Sequence, residues 1–252
     1  MDHLAQVQST GLNAFRDNGI FPEDGELLKV ILAFHDLGKG SVHFQDYLLN
    51  SGPRSNLTRH SEISALWACY YCIFSLNINP LDALFAYICV RSHHGSLGNI
   101  LSLLCPGLDN SDLLKINDSM DYDELNQILA ELGLNSNLSK SLFNSLLDYF
   151  SKNSLAKLYR MHKSKLTPYS WLRLNYLFSL LIWADKYSAI FQDQAHDHAS
   201  NIWKTEYLDA YKSHLPNSKG TIDRIRSEAY EMLPQALNIQ SDLYSINMPT
   251  GS

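Results

Sequence analysis

Long hydrophobic runs are missing from the sequence, and cysteine is scarce. The apolar run at residues 65–76 is about 12 residues long, whereas a helix needs roughly 20 to span a bilayer. Only four of the 252 residues are cysteines, and nothing ahead of Asp2 resembles a secretory leader. We therefore predict a soluble, cytoplasmic protein with reduced thiols and no membrane partner.

Two of the cysteines, Cys69 and Cys72, are separated by two tyrosines, a spacing that also occurs in metal and redox sites. Both lie inside the apolar run, where free cysteines usually pack as small hydrophobic side chains. A buried core role is the favoured interpretation, and a metal or redox role is the alternative.

Net positive charge is also absent, because 26 acidic residues exceed 20 basic ones and give a formal charge of −6. General attraction to a phosphate backbone cannot then be the main binding force, so any contact with nucleic acid must be local. One basic cluster, with Tyr159 and Tyr169 beside it, could hold a single strand by charge and base stacking. Its candidate nucleic-acid-binding residues are Lys157, Arg160, Lys163 and Lys165. A solvated helix face is the alternative.

Strand signals are scarce, and apolar residues recur at the i, i+3, i+4 spacing of an amphipathic helix, as at 27–34 and 172–181. The pattern predicts an all-α helical bundle of roughly eight helices in one globular domain. Residues 109–153 are rich in Asn, Ser and Asp. We interpret them as an insertion or outer layer, with helices near 122–132 and 139–150.

Two pairs of metal-ligating residue types close apolar helices. The pairs are His35-Asp36 and His93-His94. Adjacent side chains on a helix point about 100° apart, so they share a metal centre most easily where the helix ends and the backbone turns. We expect Gly38 and Gly95 to supply that turn.

Imidazole nitrogens and carboxylate oxygens suit Mn, Fe, Ni, Co or Zn, and an aspartate such as Asp36 can bridge two ions. A two-metal centre polarises a phosphodiester, activates water and stabilises the leaving oxygen. One His-Asp pair alone is more often a polar helix end, but the joint order of seven residues favours hydrolytic phosphate chemistry. The seven are His3, His35, Asp36, His60, His93, His94 and Asp185.

Two of the seven need separate arguments. Asp185 follows the apolar residues 177–183, where an unpaired carboxylate would be costly, so a metal or a salt bridge must compensate it. His3 lies near the start of the chain, where residues commonly fray, and its helix must dock through an apolar face. His43 is the competing ligand, although its position beyond Gly40 fits a loop better.

Four stretches carry a more specific pattern than one His-Asp pair. They are His35-Asp36-Leu37-Gly38-Lys39 with Phe44-Gln45, Arg59-His60-Ser61, Ser92-His93-His94-Gly95 and Trp183-Ala184-Asp185. Together they resemble the HD phosphohydrolase superfamily, and specifically the HD nuclease domain of the CRISPR-associated type I helicase-nuclease. The resemblance implies two metal sites that share Asp36. The ligands of the first are His3, His35, Asp36 and Asp185. Those of the second are Asp36, His60, His93 and His94.

The resemblance also implies that Lys39 acts with Asp36 in catalysis, because an ammonium beside the metals would stabilise a pentacovalent phosphate or protonate a leaving group. An ordinary cation at a helix end is the alternative. Ser61 and Ser92 are candidates for hydrogen bonds that orient the histidines. The expected cofactors are one or two divalent ions of Mn, Ni, Co, Fe, Mg or Zn.

The implied function is a metal-dependent nuclease that hydrolyses phosphodiester bonds of single-stranded DNA, as an endonuclease and by exonucleolytic degradation. The implied partners in antiviral defence are a helicase module and an RNA-guided CRISPR surveillance complex. One alternative is a nucleotide phosphohydrolase, which would need a closed pocket with base-reading groups. Another is a catalytically inactive docking module, which the complete ligand set disfavours.

The final residues also carry a signal. Residues 247–252 resemble the opening of a helicase phosphate loop without its Gly-Lys-Thr. Such a loop needs its Lys and Ser/Thr to hold phosphates and Mg²⁺. We therefore predict an HD nuclease domain over residues 1–244, a truncated helicase junction over 245–252, and no ATP binding by this chain. A chance tail is the alternative.

Overall fold

A computed structural model of the chain describes residues 2–18, 20–50, 52–105, 107–152 and 154–191. These residues fall within one compact unit, Met1–His198. The helicase junction predicted at 245–252 lies outside the described residues, as does the last part of the domain predicted over 1–244.

The described residues form an all-α fold, as predicted, with eleven α-helices rather than roughly eight. The helices are α1 (Asp2–Asn18), α2 (Gly25–Phe34), α3 (Val42–Leu49), α4 (His60–Phe74), α5 (Pro80–Ser92), α6 (Ile100–Leu103), α7 (Asn110–Asp118), α8 (Tyr122–Glu131), α9 (Lys140–Lys152), α10 (Leu155–His162) and α11 (Pro168–Phe191). Short 3-10 turns occur at Pro22–Asp24, Leu37–Gly40, Asn56–Thr58 and Lys163–Lys165. One isolated bridge between Ser41 and Met120 is the β-structure found in this part of the chain.

The core is built around α4 and α5, which are apolar on most of their surface and are therefore buried by their neighbours. Helix α5 begins where the Asn79 side chain accepts hydrogen bonds from the backbone N–H groups of Leu81 and Asp82. Pro80 follows at the first helical position, where its missing N–H costs nothing. Helix α2 packs against both α4 and α5. These three helices, each of which has predicted ligands in it or directly after it, therefore share one core.

The insertion predicted at 109–153 contains the two expected helices, α8 and α9, and one further helix, α7. Their apolar faces join the same hydrophobic core as α4. Trp67 of α4 is the junction, with its ring 5.8 Å from Tyr122 and 5.3 Å from Phe143. Its Nε1 donates a hydrogen bond to the Tyr122 hydroxyl at 3.3 Å. These helices therefore form a layer that is integral to the core.

Helix α11 is tied to the core by a buried ion pair. Arg173 donates to both carboxylate oxygens of Asp24, with its Nε 2.7 Å from Oδ2, and Nη1 lies 2.6 Å from Asp82 Oδ1. Asp24 is fully buried, and that burial raises its pKa although Arg173 opposes the effect. The pair fixes the position of the helix that also carries Asp185.

The cysteines Cys69, Cys72 and Cys89 are free and buried, which confirms the core interpretation of the first two, whereas Cys105 is exposed. Burial raises the pKa of Cys72 to about 12, so its thiol stays protonated and unreactive. None of the described helices combines the length and apolarity that crossing a membrane requires.

Candidate metal centre

The seven predicted ligands meet at one place, although they come from five separate helices or helix ends. His35 and Asp36 directly follow α2, and His93 and His94 directly follow α5. The remaining three lie on helices: His60 begins α4, His3 lies in α1 and Asp185 lies in α11. The expected convergence of helix ends is therefore present, and docking of α1 against α11 brings the first and last of these residues together.

Asp36 lies in the middle of the cluster, and its two oxygens face different groups. Oδ2 is 3.2 Å from His35 Nε2 and 3.9 Å from His3 Nε2. Oδ1 is 3.1 Å from His60 Nε2 and 3.3 Å from His93 Nε2. A carboxylate placed this way can share its oxygens between two neighbouring cations.

Potential ligand atoms form two groups, and in each group all the atoms lie within 4.8 Å of one another. The first group consists of His3, His35, Asp36 and Asp185. The second consists of Asp36, His60, His93 and His94. These are the two sets that the sequence resemblance implies; their role as metal ligands stays a prediction. His43, the competing ligand, belongs to neither group.

Among the described residues, three buried polar atoms of the cluster have no partner with hydrogen-bond geometry: His35 Nε2, His93 Nε2 and Asp36 Oδ1. Both rings are held by the other nitrogen, because Nδ1 donates to the carbonyl of Leu32 at 2.8 Å and of Val90 at 2.6 Å, respectively. In the neutral rings the lone pair is then on Nε2, which faces Asp36. A buried polar atom without a partner costs about 1–3 kcal/mol, and divalent cations, one in each group, would satisfy all three. The residues fit such an ion.

The protonation states of the two carboxylates in the cluster depend on their burial and on the histidines beside them. Burial alone would raise the pKa of Asp36, but His35, His60 and His93 hold it far below its usual range. The pKa of Asp185 is also low, because His3 and His35 outweigh its burial. Both carboxylates are therefore ionised at neutral pH.

The pKa values of His35 and His94 shift in opposite directions. Burial would lower the pKa of His35, but the neighbouring Asp185 and Asp36 raise it to about 9. Burial and the nearby His93 and His60 lower the pKa of His94 to about 4. His94 is consequently neutral at pH 7 and has a lone pair for a cation, whereas His35 must first lose a proton.

The two glycines lie where the chain turns after α2 and α5. Neither adopts a positive φ; among the described residues only Asn77 and Gly133 do. Gly38 instead allows a close approach to α4, because a Cβ there would lie 2.5 Å from the His60 carbonyl oxygen and 2.6 Å from Ile63 Cγ2. A Cβ at Gly95 would meet only the Ser92 oxygen, at 3.8 Å. Gly38 lies within the Leu37–Gly40 turn and Gly95 lies at a bend directly after His93-His94, so the chain turns where predicted, but in a backbone conformation that does not require glycine.

The serine partners also differ from the expectation. Backbone carbonyls, rather than Ser61 or Ser92, hold the Nδ1 atoms of His35 and His93. The Ser92 hydroxyl is buried and has no hydrogen-bond partner among the described residues. Ser64, which the sequence did not single out, accepts a hydrogen bond from the Gly38 N–H at 2.8 Å. Ser64 lies one helical turn after His60 on α4, and this spacing is the sequence feature that could have identified it.

Lys39 lies at the rim of the cluster. Its Nζ is 2.6 Å from Asp36 Oδ2 and 5.8 Å from the centre of the Phe44 ring, and 35% of the side chain is exposed. His94 is exposed, and His3 and Asp185 are partly exposed, whereas His35, Asp36 and His93 are buried. The open side of the cluster is therefore bordered by the groups that could first meet a substrate.

The predicted basic cluster lies on α10 and the turn after it. Its four candidates, Lys157, Arg160, Lys163 and Lys165, are all exposed. Leu155 and Leu158 anchor the buried side of α10, which packs against α5. The basic side chains therefore occupy the solvent face of this helix, and their contact with nucleic acid stays a prediction.

Comparison with known proteins gives a partial similarity. No family model matches the chain, and no solved structure matches it. The chain is 33% identical over 88 residues to a Myxococcus xanthus (strain DK1622) protein named CRISPR-associated nuclease/helicase Cas3. The match covers 33% of this chain and 12% of that protein, so the chain spans a small part of the relative's length. Part of the chain is thus related in sequence to a protein with that name.

Proposed function

We propose that this chain contains an HD-type, metal-dependent nuclease domain that hydrolyses phosphodiester bonds of single-stranded DNA in CRISPR interference. The observation that carries the proposal is the position of Asp36, whose two oxygens each face a separate group of histidine and carboxylate donors. Buried nitrogens without hydrogen-bond partners point the same way. The partial similarity to a nuclease/helicase supports the reaction class.

One ion would be held by Asp36 together with His3, His35 and Asp185. A second ion would be held by Asp36 together with His60, His93 and His94. Bound there, divalent ions would polarise the phosphodiester and make a water molecule a better nucleophile. The backbone carbonyls that hold the Nδ1 atoms of His35 and His93 keep these rings in one orientation. The protein thereby presents donors that need little rearrangement.

Lys39 acts on the phosphate in this proposal. Hydrolysis adds water across one P–O bond, so negative charge accumulates on the phosphate and a proton must reach the leaving oxygen. The Lys39 ammonium lies at the open rim beside Asp36, where it can stabilise that charge or supply that proton. Its ion pair with Asp36 also keeps the ammonium near the reacting phosphate.

DNA is supplied by partners in the proposed reaction. With a formal charge of −6, the chain has no overall attraction for a phosphate backbone and should bind DNA weakly on its own. A helicase module and an RNA-guided surveillance complex would deliver the single strand, and the exposed side chains of Lys157, Arg160, Lys163 and Lys165 would contact its backbone. Mn, Ni, Co, Fe, Mg and Zn are the candidate metals.

The test is cleavage of circular single-stranded DNA by metal-stripped protein, with Mn²⁺, Ni²⁺, Co²⁺ and Mg²⁺ added separately. We expect metal-dependent nicking that Asp36→Asn abolishes and that Asp148→Asn, an exposed acid on α9, leaves unchanged. Circular DNA has no ends, so nicking reports endonuclease action. Titration of Mn²⁺ by calorimetry should show the matching loss of affinity in Asp36→Asn.

Other outcomes separate the alternatives. Nicking by Asp36→Asn at the rate of the unaltered protein would contradict the assigned centre. Hydrolysis of free nucleotides without cleavage of DNA would favour a phosphohydrolase. Metal binding with neither reaction would favour an inactive docking module.

A further inference from the structure

Helix α3 starts directly after the Leu37–Gly40 turn of the metal-site motif, yet none of its residues is buried. Phe44, Tyr47 and Leu48 lie at i, i+3 and i+4 and therefore share one face of the helix. Tyr47 is 36% exposed and Leu48 is 62% exposed. An apolar face with so little burial contributes little to the fold, so it is available to a ligand.

This face is continuous with the metal centre through Phe44. The Phe44 ring lies edge-to-face against the ring of His60, with 4.8 Å between centroids. The Lys39 ammonium is 5.8 Å from the centre of the same ring. The Tyr47 ring follows at 6.1 Å from Phe44. A row of aromatic rings thus leads from a predicted ligand to solvent, beginning beside the cation that would meet the phosphate.

We propose that Phe44 and Tyr47 form a stacking subsite for an unpaired nucleobase next to the phosphate that is cleaved. This inference rests on the proposed nuclease function, and it adds that the same site recognises an unpaired base of its substrate. Stacking on aromatic rings tolerates any base and requires no positive charge, which suits a chain with a net charge of −6. Bases inside a duplex are stacked on one another, so the subsite selects single strands.

The test compares two oligonucleotides of equal charge, about ten nucleotides long to match a typical single-strand site. One is oligothymidylate, and the other has abasic residues at its centre. Binding to metal-stripped protein is followed by fluorescence anisotropy, which does not depend on cleavage. We expect about tenfold tighter binding of the oligonucleotide with bases, as for one stacked base.

Tyr47→Leu, which keeps an apolar side chain but removes the ring, should abolish this preference, and Tyr47→Phe should keep it. Phe74→Ala is the matched control, because Phe74 is 50% exposed and ends α4, at the opposite end from His60. Tyr47 touches no predicted ligand in the described contacts, so Mn²⁺ affinity should be unchanged in Tyr47→Leu.

The subsite is overturned if the unaltered protein binds both oligonucleotides equally or binds neither. It is also overturned if Tyr47→Leu retains the preference, or if Tyr47→Leu instead weakens binding of a helicase partner while DNA binding is unchanged, which would make the face a protein interface. A base preference that depends on Tyr47, with no DNA cleavage under any metal, supports the subsite and refutes the nuclease activity alone.

Discussion

Gly38→Ala tests whether close packing between the His-Asp motif and α4 builds the candidate metal centre. The added Cβ would lie 2.5 Å from the His60 carbonyl oxygen and 2.6 Å from Ile63 Cγ2, both far inside van der Waals contact. The first of these is backbone, so relief requires that the Leu37–Gly40 turn and the start of α4 move apart. Overpacking of this kind costs about 1–3 kcal/mol. Separation would also move His60 away from Asp36.

Urea denaturation of the metal-free protein should show that loss of unfolding free energy, and calorimetry should show weakened Mn²⁺ binding. Gly95→Ala is the matched control, because its Cβ would have 3.8 Å to the nearest atom and its φ is negative. We expect that control to stay within about 0.5 kcal/mol of the unaltered protein. Equal losses in the two variants, or unchanged metal binding in Gly38→Ala, would refute the reasoning.

Two further predictions follow from buried charges. Arg173→Met leaves the fully buried Asp24 without its ion-pair partner, so urea denaturation should show a loss of about 3–5 kcal/mol, and adding Asp24→Asn should recover part of it. If the losses of unfolding free energy from Arg173→Met and Asp24→Asn simply add in the double variant, the ion pair between these residues is contradicted. In metal-free protein the pKa of His35 is about 9, above its ordinary 6.5, so its stabilising contribution is complete below pH 6.5 and is lost as the pH rises through 9. The free energy of unfolding measured in EDTA should fall across that interval, and an equal fall in His35→Gln would assign it to another group.

Local patterns in the sequence predict the fold class and two pairs of the cluster, whereas the two full ligand sets are implied by the family resemblance. Apolar spacing predicts helices, and the helix ends place His35-Asp36 and His93-His94 at the ends of α2 and α5. The role of Gly38 could not be predicted in this way. Its requirement arises from contact with His60 and Ile63, more than 20 residues later in the chain.

The same limit applies to the contacts between Phe44 and His60 and between Gly38 and Ser64. Each of these contacts depends on how two elements pack together. The spacing of apolar residues within one element carries no information about that packing. The helices expected near 122–132 and 139–150 are present as α8 and α9, but the polar composition of residues 109–153 concealed that Phe143 and Leu146 are fully buried. Composition averages over a helix, whereas burial depends on one face of it.

The hydrogen bond between His3 and Asp185, 182 residues apart in sequence, bears on how the centre matures during translation. All four donors of the group that contains His60 lie within the first 94 residues, so they can assemble once that segment has left the ribosome. The other group must wait for α11. A polypeptide released prematurely between these two points would carry six of the seven donors and lack only Asp185, and only chains elongated past α11 would gain the full centre.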